Sequence, residues 1–307
     1  MKESDSFYII DRDEWKKLNK YKEINLTDQE VDSLRSLNDQ VSTQDVKDIY
    51  LPILQVLHKY IKHYHERQTE IRQLLERPEK KNPYIIGIAG SVAVGKSTLA
   101  RFLRTMMSRA YPDQKVSLIT TDGFLHPNEV LIDRGILNRK GFPESYDMHR
   151  LISFMGDVKS GRRNIKVPLY SHKLYNIIPD QYEVIDQPDI LIVEGINVLQ
   201  LPTSEKIFVS DFFDFSFYVD AEPYRIEKWY LERFGLLLQT AFKDPTNYYY
   251  SYAIGDRKEA FNMAKNVWRT INLKNLEEYI MPTRFRANMI IHKTTDHYID
   301  QILLKKH

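Results

Sequence analysis

The amino-acid sequence predicts an α/β fold with a mainly parallel, doubly wound sheet that is flanked by helices. Three observations lead to this expectation. Short apolar runs, typical of buried strands, alternate along the chain with segments of helical spacing. One of these runs is followed at once by a glycine-rich loop and a helix. Another run ends in an acidic residue. In sheets of this kind, ligand-binding and catalytic side chains lie at the carboxyl ends of the parallel strands.

The composition limits the possible classes of function. The chain has 307 residues, of which 42% are hydrophobic, enough for one large domain or two small ones. Its 44 basic and 42 acidic residues leave a net charge of +2, so we expect neither a nucleic acid nor a membrane as partner. The absence of cysteine excludes disulfides, thiolate metal ligands and cysteine nucleophiles. Without a visible signal peptide or an apolar run of about 18 residues, the sequence predicts a cytoplasmic protein.

Residues 1–82 are expected to form a helical extension that packs on the core made by residues 83–307, the two acting as one functional unit. Within the extension, apolar side chains at helical spacing predict a helix from Val46 to about Leu75. A proline inside this pattern, Pro52, predicts a kink or a break. We expect a charged linker bounded by prolines, residues 77–83, to lead into the first core strand.

The glycine-rich loop has the sequence Gly-Ser-Val-Ala-Val-Gly-Lys-Ser, which is the G-x-x-x-x-G-K-S pattern of a phosphate-binding P-loop. A strand at residues 84–89 and a helix at residues 97–110 give it the context that the pattern needs. The loop amides and the positive end of the helix would hold phosphate oxygens. Lys96 would reach the β- and γ-phosphates of ATP, and Ser97 would bind Mg²⁺. We expect the nucleotide to contact Gly90, Ser91, Val92, Ala93, Val94, Gly95, Lys96, Ser97 and Thr98.

Two further strands are predicted to bring carboxylates to the same place. A strand at residues 116–120 leads to Asp122, and an apolar run ends in Glu194. We interpret Asp122 as the base that accepts or orients the proton of an attacking hydroxyl, with helix capping or water-mediated Mg²⁺ binding as the alternative. Glu194 has a Walker-B-like position, whose carboxylate acts on Mg²⁺ directly or through water. The sequence therefore predicts a metal site of Ser97 and Glu194.

The later segments continue the alternation of strands and helices. Between Asp122 and the strand of Glu194 we expect a turn-rich loop, a helix that Ser145 opens and that runs through Asp147 to Lys159, and irregular structure over residues 160–187. The elements expected after it are a strand at 215–219, a helix that carries Trp229 and Arg233, a helix from Arg257 to Asn272, a strand at 288–292 and a closing helix from Tyr298 to Leu304.

Three cationic or titratable side chains are candidates for the site from their positions alone. Arg101 lies on the helix after the P-loop, where a solvated helix face is the alternative. Arg233 would stabilise transition-state charge if it reaches the transferring phosphate, and a surface ion pair is the alternative. His172 lies between two tyrosines in the segment over the site, but a lone histidine is more often structural or solvated.

Five segments together resemble the bacterial type I pantothenate kinases, a family in the phosphoribulokinase/uridine kinase group of P-loop folds. The segments are Gly90–Thr98 (GSVAVGKST), Thr120–Asn128 (TTDGFLHPN), Lys140–Arg150 (KGFPESYDMHR), Tyr170–His172 (YSH) and Ile190–Leu199 (ILIVEGINVL). The resemblance extends from about Asp11 to near the C-terminus. It implies phosphorylation of the primary hydroxyl of pantothenate with MgATP, the first step toward coenzyme A. It also implies a homodimer and inhibition by coenzyme A.

The resemblance also implies roles for individual residues. Lys96 and Ser97 match the phosphate and metal residues, Asp122 matches the proposed base, and Arg233 matches the arginine near the transferring phosphate. The residues that match the pantothenate pocket are Tyr170, His172, Tyr175, Tyr230 and Asn272. Those that match the surroundings of the adenine are Asn38, Lys293 and His297, and those that match contacts of coenzyme A are Arg101 and His172. Leu237 departs from the pattern, because an aromatic residue is expected near it in some relatives; this affects the expected strength of inhibition.

Two other kinds of protein share the P-loop. A nucleoside or sugar kinase of the same fold group is the nearest alternative, because the P-loop does not distinguish acceptors. A regulatory GTPase would carry N-K-x-D for guanine, whereas the nearest stretch, His292–Asp296, has the wrong first residue and spacing. An ABC-type motor is disfavoured because the chain lacks L-S-G-G-Q.

Overall fold

The computed structural model of the chain describes residues 3–20, 24–78, 81–200 and 207–307. Within these ranges, nine strands form one large and one small sheet. The strands are β1 (Phe7–Asp11), β2 (Tyr84–Gly90), β3 (Val116–Thr120), β4 (Ile165–Ser171), β5 (Asn176–Ile185), β6 (Ile190–Glu194), β7 (Phe215–Asp220), β8 (Met289–Lys293) and β9 (Ile299–Lys305). The expected linker at residues 77–83 lies partly outside the described residues.

Helices of very different length connect the strands. The α-helices are α1 (Glu3–Ser6), α2 (Arg12–Trp15), α3 (Asp28–Leu34), α4 (Thr43–Asp45), α5 (Leu51–Leu74), α6 (Lys96–Ala110), α7 (Asn128–Asp133), α8 (Met148–Lys159), α9 (Pro223–Gln239), α10 (Tyr250–Ile254), α11 (Arg257–Val267) and α12 (Leu273–Asn275). Wider π-helical turns are Val46–Tyr50, Trp268–Asn272 and Leu276–Ile280. None of the helices in the described ranges is long and apolar enough to cross a membrane.

The large sheet has the strand order β1-β9-β8-β7-β2-β6-β3. The five strands from β8 to β3 pair in parallel, as the alternating sequence pattern predicts. Strand β9 is antiparallel to both of its neighbours and closes one edge together with β1. Strand β2 lies near the middle, and each of its residues is buried because both faces of the sheet are covered. Its carboxyl end therefore opens at the centre of one edge, between β6 and β7.

One continuous core joins the sheet to the helices around it. Buried apolar side chains of α5, α6, α8 and α9 belong to the same cluster as those of the central strands. The N-terminal segment shares this core through Trp15, whose indole donates to the carbonyl of Ile49 at 3.2 Å. Arg12 is buried as well and is hydrogen-bonded to Asp45, Asp48 and the carbonyl of Ile299. The division of the chain at residues 82 and 83 stays a prediction.

Four sequence-based expectations about elements are wrong. Residues 1–82 are not all helical, because β1 lies there and pairs with β9. The closing helix expected over Tyr298–Leu304 is strand β9. The irregular structure expected over residues 160–187 is the β4–β5 hairpin, a two-stranded sheet separate from the large one. The helix expected from Ser145 begins at Met148, because the Asp147 side chain caps it by accepting from the amide of Arg150.

The expected disturbance at Pro52 takes the form of a change in helix type. Proline has no amide hydrogen and cannot donate within a helix. The chain places Pro52 in the first turn of α5, directly after the π-helical turn Val46–Tyr50. In the preceding turn the amide of Leu51 donates to the carbonyl of Val46, five residues back, and this wider spacing carries the helix past the missing donor of Pro52. The helical path therefore continues through this point.

Candidate active site

The P-loop connects the end of β2 to the start of α6, as the sequence predicts. Gly90 and Gly95 have φ values of 143° and 101°, in the region that side chains rarely adopt. A Cβ at Gly90 would lie 2.6 Å from the carbonyl oxygen of Val219, and one at Gly95 would lie 2.4 Å from Lys293 Nζ. Both positions therefore require glycine for backbone shape and for space. The helix that follows turns its N-terminal amides toward the loop, which suits an anionic ligand.

Lys96 is buried at the start of α6, with its ammonium between a loop carbonyl and a carboxylate. Its Nζ donates to the carbonyl of Ser91 at 2.8 Å and lies 3.8 Å from Glu194 Oε1. Burial lowers the pKa of Lys96, although the charge of Glu194 opposes this change. Burial likewise raises the pKa of Glu194, and Lys96 opposes it. The loop thus holds a positive charge on its inner side, ready for phosphate oxygens.

Ser97 and Glu194 are adjacent, with the hydroxyl donating to Oε2 at 3.2 Å. One hydroxyl and one carboxylate fit Mg²⁺, which keeps several waters and takes its other ligands from substrate phosphates. The described residues include no cluster of three acidic or histidine side chains that would enclose a metal by themselves. The donor set therefore fits a Mg²⁺ ion that arrives with a nucleotide.

A cavity of about 590 Å³ opens beside the loop. This volume lies within the range of small-molecule sites. Elements from the whole chain form its walls: the P-loop, the ends of β3 and β6, the β4–β5 hairpin, α9 and the turn Trp268–Asn272. The predicted site residues that line it are Asn38, Val92, Ala93, Gly95, Lys96, Ser97, Arg101, Asp122, Tyr170, His172, Tyr175, Glu194, Tyr230, Arg233 and Asn272. The structure therefore brings together residues that are up to 234 positions apart, from Asn38 to Asn272.

Asp122 lies in the tight turn that follows β3, as its strand-end position predicts. Its amide donates to Thr120 Oγ1 at 3.4 Å, and its carboxylate faces the cavity. His172 approaches from the β4–β5 hairpin, with Nε2 at 3.8 Å from Asp122 Oδ2. The His172 side chain is 76% exposed, whereas that of Asp122 is 29% exposed. The pair therefore lies where the cavity meets solvent.

Three tyrosines add polar tips to the cavity wall. Tyr170 and Tyr175 come from the hairpin, and Tyr230 comes from α9. Burial raises the pKa of all three phenols, to about 12 for Tyr175 and Tyr230. Each hydroxyl is therefore neutral at physiological pH and can both donate and accept a hydrogen bond. Asn272 stands beside Tyr230 and adds an amide to the same wall.

Arg101 and Arg233 contribute positive charge to the cavity in different ways. Arg101 is held by the N-terminal extension, since it donates to the carbonyl of Leu34 at 2.6 Å and to Ser36 Oγ at 3.1 Å. Arg233 is largely desolvated, which lowers its pKa, while the charges of Glu194 and Asp122 oppose the change. Its guanidinium therefore lies within the field of both carboxylates of the cavity.

Lys293 and His297 lie behind the P-loop and do not line the cavity. Their exposed fractions are only 2% and 4%. Lys293 Nζ donates to Asp39 Oδ1 at 3.2 Å, and His297 Nδ1 lies 3.1 Å from the same oxygen. The ring of His297 stacks on Trp229 with centroids 4.0 Å apart. Asn38 is next to this group and donates to the carbonyl of Trp229 at 3.0 Å.

Val94 and Thr98 are also behind the loop surface. Val94 is fully buried in the core, and the Thr98 hydroxyl accepts from the amide of Ser36 at 3.0 Å. Ser91 is buried and offers its carbonyl to Lys96. These residues shape the loop from inside.

Sequence reasoning missed Asp39 and Lys140. Asp39 is the carboxylate that pairs with Lys293 below Gly95, but in the sequence it is one acid among 42 acidic residues, without periodic context. Lys140 is 6% exposed and lines the cavity, with Nζ 4.1 Å from the ring centroid of Tyr175. Burial lowers the pKa of Lys140 to about 8. Its place in the segment Lys140–Arg150 was the one available signal.

A second groove, of about 1290 Å³, adjoins the cavity. Asn38 and Asp39 line both spaces and so mark the place where they meet. The walls of the groove come from the segment around these two residues, from α9 and from residues 295–298.

Comparisons with known proteins identify the family to which the chain is similar. Residues 85–226 match the family described as Phosphoribulokinase / Uridine kinase family. A pantothenate kinase of Ligilactobacillus salivarius is 58% identical over 302 residues, which cover 98% of each chain. A pantothenate kinase of Enterococcus faecalis is 57% identical, again over 98% of each chain. A solved structure of D-glycerate 3-kinase from Cryptococcus neoformans var. grubii has a TM-score of 0.52 at 12% identity, over 80% of this chain and 97% of that one; this likeness concerns the fold.

Proposed function

The chain belongs to the pantothenate kinase family, an enzyme family of the phosphoribulokinase/uridine kinase group, and on this premise we propose that it transfers the γ-phosphoryl group of ATP to pantothenate. The product would be 4′-phosphopantothenate, on the way to coenzyme A. One observation carries the proposal. A single cavity contains the P-loop cation Lys96, the strand-end carboxylate Asp122 and a wall of tyrosines on the β4–β5 hairpin.

The P-loop end of the cavity suits the phosphates of the nucleotide. Amides of the loop and of the first turn of α6 would hold the phosphate oxygens. Lys96 would stay in contact with the γ-phosphoryl group during its transfer. Ser97 and Glu194 would hold Mg²⁺, which when bound neutralises charge on the phosphates. The adenine ring of the nucleotide would lie toward Asn38, where the cavity and the groove meet. Contacts with Lys293 and His297 would require these buried side chains to become accessible.

The other end of the cavity suits an acceptor with hydroxyl, amide and carboxylate groups, as pantothenate has. Neutral phenols of Tyr170, Tyr175 and Tyr230 and the amide of Asn272 can donate to and accept from such groups. His172 adds a polar group at the mouth. Lys140 adds a buried cation to a wall that has to bind an anionic acceptor.

The chemistry at the centre is positioning and charge stabilisation. Asp122 would accept or orient the proton of the primary hydroxyl as the hydroxyl attacks the γ-phosphorus. Arg233, which lines the same cavity and interacts electrostatically with Glu194 and Asp122, would stabilise the charge that spreads over the equatorial oxygens. Desolvation strengthens both effects, because charges interact more strongly away from water.

The same site supports feedback by coenzyme A. Coenzyme A joins phosphates to pantetheine, so it would use both ends of the cavity and compete with ATP for Lys96. Arg101 lies on α6 beyond the loop and lines the cavity, where it would meet an additional phosphate. His172 would contact the inhibitor from the hairpin. A homodimer and a cytoplasmic location stay predictions from the sequence.

An assay of ADP release with different acceptors tests the proposed function. Pantothenate should give ADP release that depends on both the acceptor and Mg²⁺, whereas uridine, ribulose 5-phosphate and buffer alone should give little. The nucleoside or sugar kinase alternative would be supported if one of these other acceptors had the higher kcat/KM. Equal ADP release with and without any acceptor would contradict both kinds of kinase.

A further inference from the structure

The turn of the β4–β5 hairpin is held in a constrained conformation by two side chains that come from elsewhere. Tyr175, which leads into β5, has a φ of 51°, a left-handed value that is costly for a residue with a side chain. Its carbonyl oxygen accepts from Asn128 Nδ2 at 3.0 Å and from Lys140 Nζ at 2.5 Å. The same lysine also donates to Asn128 Oδ1 at 2.6 Å. Asn128, Lys140 and the Tyr175 carbonyl thus form a closed triangle of hydrogen bonds.

Asn128 also has a second tie to the hairpin, through its backbone. Its amide donates to Asn176 Oδ1 at 2.9 Å, so both the side chain and the main chain of this residue contact the turn. Asn128 lies six residues after Asp122, in the segment Thr120–Asn128. It therefore links the loop that carries the carboxylate to the turn that carries the aromatic wall.

A close backbone approach brings the same two elements together at a second point. A Cβ at Gly123 would lie 2.3 Å from the carbonyl oxygen of Pro168, so only glycine lets the Asp122 turn come this close to β4. Within the described ranges, no strand pairing joins the hairpin to the large sheet. Its position relative to Asp122 consequently depends on the packing of Ile165, Val167 and Ile185 in the core and on side-chain and loop contacts of this kind.

We propose that Asn128 is a positioning residue for acceptor binding, which fixes the hairpin turn and the Lys140 ammonium relative to Asp122. This inference rests on the proposed function and names a residue that acts through others. Asn128 does not line the cavity, whereas Tyr175 and Lys140 do. Its side-chain amide donates to the Tyr175 carbonyl and accepts from Lys140, so its removal leaves the Lys140–Tyr175 hydrogen bond as the one remaining side of the triangle and loosens the turn.

The proposal predicts an effect on one substrate only. The P-loop and the nucleotide end of the cavity lie on β2 and α6, which are parts of the large sheet and its core. The hairpin is a separate sheet, and its far end, where Tyr175 lies, is remote from the residues that anchor it in the core, Ile165, Val167 and Ile185. Loss of Asn128 should therefore weaken binding of the acceptor and leave binding of the nucleotide unaffected. Two lost hydrogen bonds at a half-buried position correspond to about a tenfold change in affinity.

The experiment compares Asn128→Ala with the wild type and with Asp133→Asn, an exposed position on the same helix. Calorimetry gives the Kd of ADP and the Kd of pantothenate in the presence of ADP, and steady-state assays give KM for ATP and pantothenate. We expect Asn128→Ala to raise the Kd and KM of pantothenate about tenfold, with values for ADP and ATP within about twofold of the wild type. Asp133→Asn should match the wild type throughout.

Asn128→Asp keeps the size of the side chain and an acceptor for Lys140, but it places an oxygen against the Tyr175 carbonyl. It should weaken pantothenate as well, and it serves as the test if the alanine variant does not fold. Wild-type affinity for pantothenate in either folded variant, or equal losses for both substrates, would overturn the inference. A wild-type protein that binds ADP but neither binds nor phosphorylates pantothenate would contradict the proposed function itself.

Discussion

The imidazole of His172 and the carboxylate of Asp122 face each other across the mouth of the cavity, with Nε2 3.8 Å from Oδ2. This distance is too long for a hydrogen bond between them. A hydroxyl oxygen placed beside the line that joins the two atoms would be within hydrogen-bond distance of both. The two residues come from the end of β3 and from the hairpin, so the acceptor hydroxyl would be held between two separate structural units.

Asp122→Asn should lower kcat by about 10²- to 10⁴-fold, the range of lost general bases. The amide keeps the size of the side chain but accepts a proton poorly. KM for ATP should change little, because the carboxylate acts on the acceptor hydroxyl during transfer. Initial rates over a range of ATP and pantothenate concentrations measure both constants. Asp113→Asn, at an exposed position outside the cavity, is the control. Normal kcat combined with a weakened response to Mg²⁺ would make Asp122 a metal residue.

Lys96→Ala should nearly abolish turnover while the fold persists. Its ammonium would lie on the transferring phosphate, where charge stabilisation is worth most. The remaining carboxylate, Glu194, already has a raised pKa and can take up a proton when its partner is lost. Turnover and circular dichroism are compared with those of Lys258→Ala, an exposed lysine on α11. Retention of more than about a tenth of kcat, a deficit under about 1.4 kcal/mol, would contradict the P-loop assignment.

Arg101→Ala should raise the inhibition constant of coenzyme A about tenfold or more. Binding of ATP should be weakened less, because ATP keeps its contacts with the loop amides and Mg²⁺. Arg109→Ala is the matched control, since Arg109 also ties α6 to the N-terminal extension through the carbonyl of Asn25 but is outside the cavity. Initial rates against ATP at several fixed coenzyme A concentrations should show a rising apparent KM and a constant kcat. A falling kcat with unchanged KM would indicate a separate inhibitor site.

Leu237→Phe tests the one departure from the family pattern. Leu237 is partly buried and packs on the cluster that contains Phe234 and Phe242. Leu237 lines neither the cavity nor the groove, so a phenyl ring would add apolar contact area for the thiol end of coenzyme A only by extending from this cluster. We expect the variant to be inhibited at severalfold lower coenzyme A concentrations, with KM for ATP unchanged. An inhibition constant equal to that of the wild type would place the thiol end elsewhere.

His297 should make the protein less stable as the pH falls from 6.5 to 4. Burial, reinforced by Lys293 and Lys228 and opposed by Asp39 and Asp296, lowers the pKa of His297 to about 4. In the unfolded chain the same group takes up its proton near pH 6.5, so the unfolded state binds more protons within this window. The free energy of unfolding therefore declines as the pH is lowered through it, and is unaffected by this group above pH 6.5.

Urea unfolding at pH 7.5 and pH 5.0 measures this effect. The loss between the two pH values should be smaller in His297→Gln than in the wild type by on the order of 2 kcal/mol, from about 1.4 kcal/mol per unit of pKa shift. The difference between the two proteins removes the contributions of the other histidines, including His65 and His126, whose pKa values are also lowered by burial. Equal losses in both proteins would mean that the pKa of His297 is not lowered in the folded state.

The central strands were predictable because they are buried on both faces. A strand such as β2 or β6 reads as a continuous apolar run, which few other elements resemble. The hairpin strand β5 has mostly exposed residues, so no apolar pattern marks it. Strand β9 buries Ile299, Ile302 and Leu303, which are also three and four residues apart as in a helix. Only its pairing with β8 and β1 distinguishes a strand from a helix here, and this pairing is a tertiary property.

Some residues of the candidate site were likewise predictable from the sequence, and others were not. Lys96, Asp122 and Glu194 were found because each lies at the end of a recognisable strand or shortly after it, which places them at the same sheet edge. Asp39 is defined by a buried ion pair with Lys293, a residue 254 positions away. No local pattern encodes such a partner. The burial of Lys293 and His297 was likewise beyond the sequence, because it depends on how the chain ends meet behind the P-loop.

The pairing of β1 with β9 has a consequence for protein synthesis. Residues Phe7–Asp11 leave the ribosome long before their partner in the sheet, Ile299–Lys305. While the chain is being made, the parallel strands from β8 to β3 can assemble, since all of them precede β9. Strand β1 cannot pair until β9 has been synthesised, so its backbone is exposed to water and proteases until then. A released chain that ends at Tyr298 should therefore contain an assembled parallel sheet beside an amino-terminal segment that a protease still cuts.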